Sequence, residues 1–191
     1  YIQFGRRPGG AYVPRFRNVG GQDEVPFKRG YGYQGSAYRN PADPQGFGAS
    51  MKHGMRQYGP WRFNMGAFGE CLPYRDNRVS LHPDRVDRFG IPQMRFDVTS
   101  RDNETRMMED ARAEGERMLR AAGLTNVTSY QREHVPGDAI HEMGGARMGA
   151  DPRESVLNRW SQAHDAANLF VTDGAQMASV SCVNPSLTFM A

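Results

Sequence analysis

Twenty-two glycines and twelve prolines punctuate this chain of 191 residues, and most of them fall before residue 100. That distribution excludes a helical bundle over the first half, because each Gly or Pro inside a helix costs about 1 or 3 kcal/mol respectively. The expectation is short strands joined by shaped turns at Pro8-Gly-Gly10, Pro41-Ala-Asp-Pro44 and Gly59-Pro60. Aromatic residues such as Tyr31, Tyr33, Tyr58, Trp61, Phe63 and Phe68 lie between the turns. Farther on, Arg78–Leu81 reads as a strand, a turn passes through Pro83-Asp84, and Ile91–Val98 alternates Met94, Phe96 and Val98 on one half-buried face.

The helical period returns once, over about Asp102 to Ala122. Met107, Met108, Ala111, Met118, Leu119 and Ala122 form one apolar stripe, and Gly123 supplies the stop. Gly115 lies on the same stripe, where a missing side chain permits close packing. Asn168–Thr172 reads as a short buried strand ending at Asp173-Gly174, and Asn184-Pro185 as the capped start of a terminal helix. The fold class is therefore α+β: an antiparallel-sheet domain with flanking helices over residues 1–135, then a separate segment over 136–191.

Charge and cysteine usage remove several functions. The formal net charge is +3, but 22 of the 24 basic residues are Arg, interleaved with acids and never clustered. A nucleic-acid-binding surface needs a concentrated basic footprint, so no nucleic-acid partner is expected. Cys71 and Cys182 stand alone, without metal-ligand spacing, and are read as buried thiols; no metal is expected. No run of eighteen apolar residues is present. No targeting segment is legible, and the first residue is Tyr1 rather than Met, so the sequence is expected to be an internal piece of a longer protein.

Two motifs compete for attention. Gly30-Tyr-Gly32-Tyr-Gln-Gly35 has the spacing of a pyrophosphate-binding loop, but the context rejects it. Such a loop follows an apolar strand and opens a helix, whereas Pro41 and the aromatic residues around it preclude one here. His141 is different: Gly144-Gly145 follow it, giving backbone that can pass close to a bulky or flat group. The remaining histidines, His53, His82, His134 and His164, lack ligand spacing and are expected to be structural or superficial.

Taken in order, His141-x-x-Gly-x-x-Arg-Met-Gly149, Asp151-Pro-x-x-Ser155-Val, Asn168-Leu-Phe-Val-x-Asp173-Gly and Asn184-Pro-x-x-Thr188 resemble the C-terminal signature of the glucose–methanol–choline (GMC) flavin oxidoreductases. Weaker similarity upstream, in Asn77–Leu81, Asp87–Pro92 and Leu119–Gly123, looks like the bacterial branch acting on sugars, polyols and gluconate. The resemblance implies FAD as cofactor and oxidation of a CH–OH group in a sugar, polyol or related alcohol. It implies that His141 takes the hydroxyl proton and that Asn184 is the second catalytic residue. Asp173, Gly174, Pro185 and Ser186 would contact the flavin.

An imidazole, with an unperturbed pKa of about 6.5, accepts a proton near neutral pH. An asparagine amide donates to a developing alkoxide without competing for that proton. The resemblance further implies an electron acceptor such as a quinone or cytochrome, and a periplasmic or membrane-associated setting. The family's FAD-binding N-terminal region is not found in the sequence, so a partner chain or further sequence would complete the flavin site. Two other readings stay open: a flavin-containing hydroxynitrile lyase, and a non-catalytic carbohydrate-binding subunit.

Overall fold

The computed structural model describes residues 10–20, 25–40, 46–132 and 140–191. The Pro41–Pro44 turn, Pro8-Gly9, His134 and the expected boundary at 135/136 lie outside them. The described elements are β1 (Ala11–Val13), β2 (Tyr31–Tyr38), α1 (Ala49–Gly54), β3 (Arg62–Gly69), β4 (Arg78–Val86), β5 (Pro92–Asp97), α2 (Asp102–Ala121), a 3-10 turn (Gly174–Gln176) and α3 (Ser186–Met190). Small antiparallel sheets with a few helices make the chain α+β, as the glycine and proline pattern implies.

β1, β2 and β3 form one antiparallel sheet with β2 in the centre. The rejected pyrophosphate motif is therefore strand: Gly35 is paired on both sides, Gly32 pairs with Phe68 of β3, and the strand continues to Tyr38 where a helix would have to begin. Strand periodicity then separates two faces. Tyr31 and Tyr33 point towards α2, where they pack with Phe27, Met107 and Ala111 as the buried apolar core. The opposite face carries Tyr12, Gly32 and Gln34. There the backbones run close, because a Cβ on Gly32 would come within 2.9 Å of the Val13 carbonyl oxygen and 3.4 Å of Cys182 Cβ. The C-terminal segment thus packs on the sheet face that α2 leaves free.

α2 is held by polar as well as apolar contacts. Glu104, almost fully buried, accepts hydrogen bonds from the backbone N–H of Leu72 at 3.0 Å and of Arg101 at 3.0 Å, and from the Tyr74 hydroxyl at 3.0 Å. Asp110 accepts from the Tyr31 hydroxyl and from Arg17 Nε at 2.9 Å, while the Tyr33 hydroxyl donates to the Ala111 carbonyl at 2.6 Å. Gly115 permits the expected close approach, since a Cβ there would meet Met65 and Tyr33 at 3.3 Å. Gly123, at φ 84°, ends the helix by closing Gly123 N–H to Arg120 O and Leu124 N–H to Leu119 O.

Four expectations need correction. β4 runs through Pro83-Asp84 to Val86, with a register irregularity between Leu81 and Val86, and the chain reverses at Asp87–Ile91 instead. Proline is tolerated there because a two-stranded ribbon has free edges, and Asp87 accepts the Phe89 and Ile91 amides while Gly90 takes φ 81°. The face expected to be half-buried is largely open: Met94 and Leu81 are about two-thirds exposed, and no described element covers the ribbon. Asn168–Thr172 is not a buried strand but a stretch with one bridge, Gln162 to Phe170, and with Leu169 and Phe170 exposed. Cys71 is exposed, whereas Cys182 is buried as expected. The six-residue α1 was not legible, being too short to show a period and burying no residue.

Candidate active site

Of the described histidines, three are engaged within the chain. His53 Nε2 meets Gln57, His82 Nδ1 accepts the Asp84 amide at 3.1 Å, and His164 Nε2 lies 3.0 Å from Ser155 Oγ. His141 is half-buried and its ring has no hydrogen-bond partner among the described residues. No buried side-chain nitrogen or oxygen among the described residues lacks a partner.

The backbone after His141 is fixed by a short ladder. Gly144, at φ 85°, donates to Gly174 O, Ala146 donates to Ala175 O at 2.9 Å, and Met148 donates to Gln176 O at 2.8 Å. Gly144 supplies a conformation that a side chain would strain. At Gly145 nothing lies within 4 Å of the position a Cβ would take, so its face of the ladder is open. Met148 bridges Leu157, which is completely buried, and Asp151–Ser155 forms the expected turn, with Asp151 accepting the Arg153 amide.

The other strand of the ladder begins at Asp173. Its Oδ1 accepts the Ala175 amide at 2.9 Å and caps the 3-10 turn, while the carboxylate as a whole is exposed. Asp173-Gly174 is therefore a capped turn rather than the end of a regular strand. Gly174 is the point where three stretches meet: a Cβ there would lie 3.3 Å from the Glu142 carbonyl oxygen, 3.3 Å from Phe189 Cζ and 3.6 Å from Met143 Cγ. The segment after His141, the Asp173 turn and α3 are in mutual contact at this one residue.

Asn184 is exposed and does not cap α3. Helix capping falls one position later, at Pro185, with no side-chain cap; the Thr188 amide donates to the Pro185 carbonyl at 2.9 Å. Pro185 occupies the cap position itself, so the Asn184 side chain is left free of helix duty. Ser186 is the first helical residue and is exposed, and Pro185 is half-buried. Asn184 and Val183 line an open cleft of about 450 Å³ with Ala11, Tyr12, Gln34 and Gly35 from the sheet and Gly10 just before it.

The stretch before Asn184 is tied to that sheet by residues that sequence reasoning did not single out. Glu70, next to the end of β3, accepts from Ser179 Oγ at 2.6 Å and from the Val180 amide at 3.1 Å. Cys182 Sγ donates to Gly30 O, and the Tyr12 hydroxyl donates to Cys182 O at 3.1 Å. These pairs are separated by more than a hundred residues and carry no local pattern, so nothing in the sequence marks them. The structure therefore joins His141's neighbours, Gly174 and α3 at one contact, and sets Asn184 against the sheet.

Comparison with known proteins identifies the family. The family model described as GMC oxidoreductase matches residues 73–191. The chain is 32% identical to a 2-methyl-1,2-propanediol dehydrogenase from Mycolicibacterium austroafricanum, over 85% of this chain and 31% of that protein. It is 34% identical to a fructose dehydrogenase large subunit from Gluconobacter japonicus, covering 64% of this chain and 22% of that one. A gluconate 2-dehydrogenase flavoprotein from Pantoea cypripedii is 25% identical over 79% of the chain and 26% of its own length. The chain thus spans less than a third of each of these relatives.

Proposed function

The chain belongs to the GMC oxidoreductase family, and from that premise we propose that it forms the substrate-facing and catalytic part of an FAD-dependent enzyme. The reaction is oxidation of a CH–OH group in a sugar, polyol or related alcohol. In this reading residues 1–135 bind substrate, and 136–191 return to a flavin-binding domain completed by residues outside this sequence. The observation that carries the reading is the imidazole of His141, without a hydrogen-bond partner among the described residues, beside a backbone ladder left open at Gly145.

The residues present fit a flavin. Open backbone at Gly145 leaves room for a flat ring, and the exposed Asp173 carboxylate is an acceptor for ribityl hydroxyls. The Ser186 amide at the start of α3 is a donor for a ring carbonyl, with Pro185 and Gly174 shaping the backbone beside it. FAD, when bound, supplies the acceptor for the hydride.

The remaining work falls to this chain. His141 takes the proton from the substrate hydroxyl, which raises the electron density at the adjacent C–H bond. Asn184 donates its amide to the oxygen as negative charge develops there. The cleft against Tyr12 and Gln34 offers donors and acceptors for further hydroxyls of a polyol. We extend the reading to the electron acceptor: a quinone or cytochrome, reached through a further chain, in keeping with the subunit named among the relatives.

The test is anaerobic reduction of the flavin-loaded enzyme by an alcohol or sugar, followed by the loss of flavin absorbance. His141→Ala is expected to slow the reduction by about 10²–10⁴-fold, the usual contribution of a positioned base, with flavin still bound. Reduction at the native rate would remove His141 from the chemistry. An absorbance that no alcohol bleaches, in an enzyme that still turns over cyanohydrins, would favour the lyase.

A further inference from the structure

We infer that Glu70 is a positioning residue for the reaction: it fixes Asn184 by holding the Ser179–Cys182 stretch against the sheet. This rests on the reading of Asn184 as the residue that steadies the substrate oxygen. Glu70 lies just beyond β3, is 4% exposed, and carries a carboxylate inside a largely closed site. A buried carboxylate needs donors aimed at it, and here they come from far along the chain. Ser179 Oγ at 2.6 Å and the Val180 amide at 3.1 Å both donate to Oε1, while Arg29 Nε lies 3.7 Å away.

Two neutral contacts complete the fastening. Gly30 O accepts both the Glu70 amide and Cys182 Sγ, and the Tyr12 hydroxyl donates to Cys182 O. The four-residue stretch is thus pinned at its start by Glu70 and at its end by Gly30 and Tyr12. Asn184 follows two residues later, and its own side chain makes no hydrogen bond within the described residues. Its place in the cleft beside Gln34 is therefore set by the backbone on either side, of which the preceding stretch is the part fastened to the sheet. Of the anchors only Glu70 is charged, and charge-assisted hydrogen bonds are roughly twice as strong as neutral ones. Burial away from water adds to their strength.

Removing the carboxylate should loosen Asn184 without touching the substrate. Because an oxygen donor of this kind acts in the transition state, the loss appears in kcat and in kcat/KM alike, with KM nearly constant. Glu70→Gln keeps an oxygen acceptor of the same reach, so it should recover most of the rate. A merely structural role would instead lower the flavin content or the melting temperature and leave the rate per bound flavin unchanged.

The experiment is a double-mutant cycle in the flavin-loaded holoenzyme, read as the rate of anaerobic flavin reduction per bound flavin. Glu70→Ala is expected to slow reduction at least tenfold and Glu70→Gln less than threefold. In an Asn184→Ala background, Glu70→Ala should cost no further rate. Hydrogen exchange in the flavin-free protein gives a second reading: the amides from Val180 to Asn184 should exchange faster in Glu70→Ala. If Asn184→Ala itself reduces at the native rate, the catalytic reading of Asn184 fails. If Asn184→Ala is slow but the Glu70→Ala loss multiplies with it, or does not occur, the coupling is refuted and Glu70 is an ordinary structural carboxylate.

Discussion

Replacing Gly174 by alanine probes the contact on which the candidate site is built. The backbone there is not in the left-handed region, so the new side chain brings no conformational strain of its own. Restricting the unfolded chain even favours the variant by about 0.4–1 kcal/mol. Against this, the added methyl would sit 3.3 Å from the Glu142 carbonyl oxygen and 3.3 Å from Phe189 Cζ, both too close for comfort. Phe189 belongs to the short α3, but Glu142 adjoins a ladder held by Ala146 N–H to Ala175 O at 2.9 Å. Overpacking of this kind costs about 1–3 kcal/mol, which leaves a net loss of up to about 2.6 kcal/mol. Equilibrium urea unfolding reads it directly, as a fall in the midpoint of up to roughly 1 M at an ordinary denaturant slope. Gly145→Ala is the matched control: it has open space and no positive φ, so its midpoint should hold or rise. Equal behaviour of the two variants would refute the claim that three stretches converge on Gly174.

The polar clamp on α2 gives a second prediction. Asp110→Ala removes the acceptor of the Tyr31 hydroxyl in the fully buried Tyr31 side chain, a cost of about 1–3 kcal/mol, and also breaks the partly exposed Arg17 pair, worth at most about 1 kcal/mol after screening. In a Tyr31→Phe background only the smaller part should remain; additive losses in the unfolding free energy would show that the hydroxyl and carboxylate are not coupled. A third concerns acid. Burial works to raise the Glu104 carboxyl, but the Leu72 and Arg101 amides, the Tyr74 hydroxyl and the Asn103 amide outweigh it and hold Glu104 below the ordinary carboxylate range. A depressed folded value means that the unfolded chain binds the proton first. The stabilisation is therefore present above the unfolded value of about 4.3 and lost as pH falls through the folded one. Unfolding midpoints compared near pH 6 and about pH 3 should fall less in Glu104→Gln than in the native protein; parallel falls would assign the acid sensitivity elsewhere.

What could be read in advance follows from the range of the interactions. α2 was legible to within a residue because its stripe and its Gly123 stop are local, repeating every turn. The nucleotide-loop reading of Gly30–Gly35 could be rejected because no helix could follow it, and the stretch proves to be the central strand β2. The expected Pro83-Asp84 turn failed because proline punctuates a chain only where its missing amide matters, and β4 has an edge that does not need it. Burial was misjudged at Met94 and Phe170 because an apolar residue states a preference, whereas exposure depends on what lies opposite. The site divides in the same way. His141 and Asn184 stood out through neighbouring glycines and proline, but Glu70, Tyr12 and Cys182 make their contacts across more than a hundred residues and leave no periodic trace.

The two halves of the chain are stabilised by different means, and this bears on how a site made from the second half can work. Around α2 and the sheet, Tyr31, Tyr33, Phe27, Met107 and Ala111 exclude water together, and the stabilisation is spread over a shared apolar volume. From His141 onwards the buried apolar residues are only Leu157, Ala163 and Cys182 among those described, and none belongs to that core cluster. Order there comes from discrete hydrogen bonds: the ladder from Gly144 to Gln176, the Asp173 cap and the Glu70 anchor. Discrete bonds define direction better than apolar packing does, but each can be lost singly. A segment so built leaves the side chains of His141 and Asn184 without hydrogen-bond partners among the described residues, and the stretch before Asn184 takes its position from the sheet beneath. The carboxylate of Glu70 is the charged member of these fastenings: it accepts two hydrogen bonds from the stretch that leads to Asn184 and directly follows the end of β3.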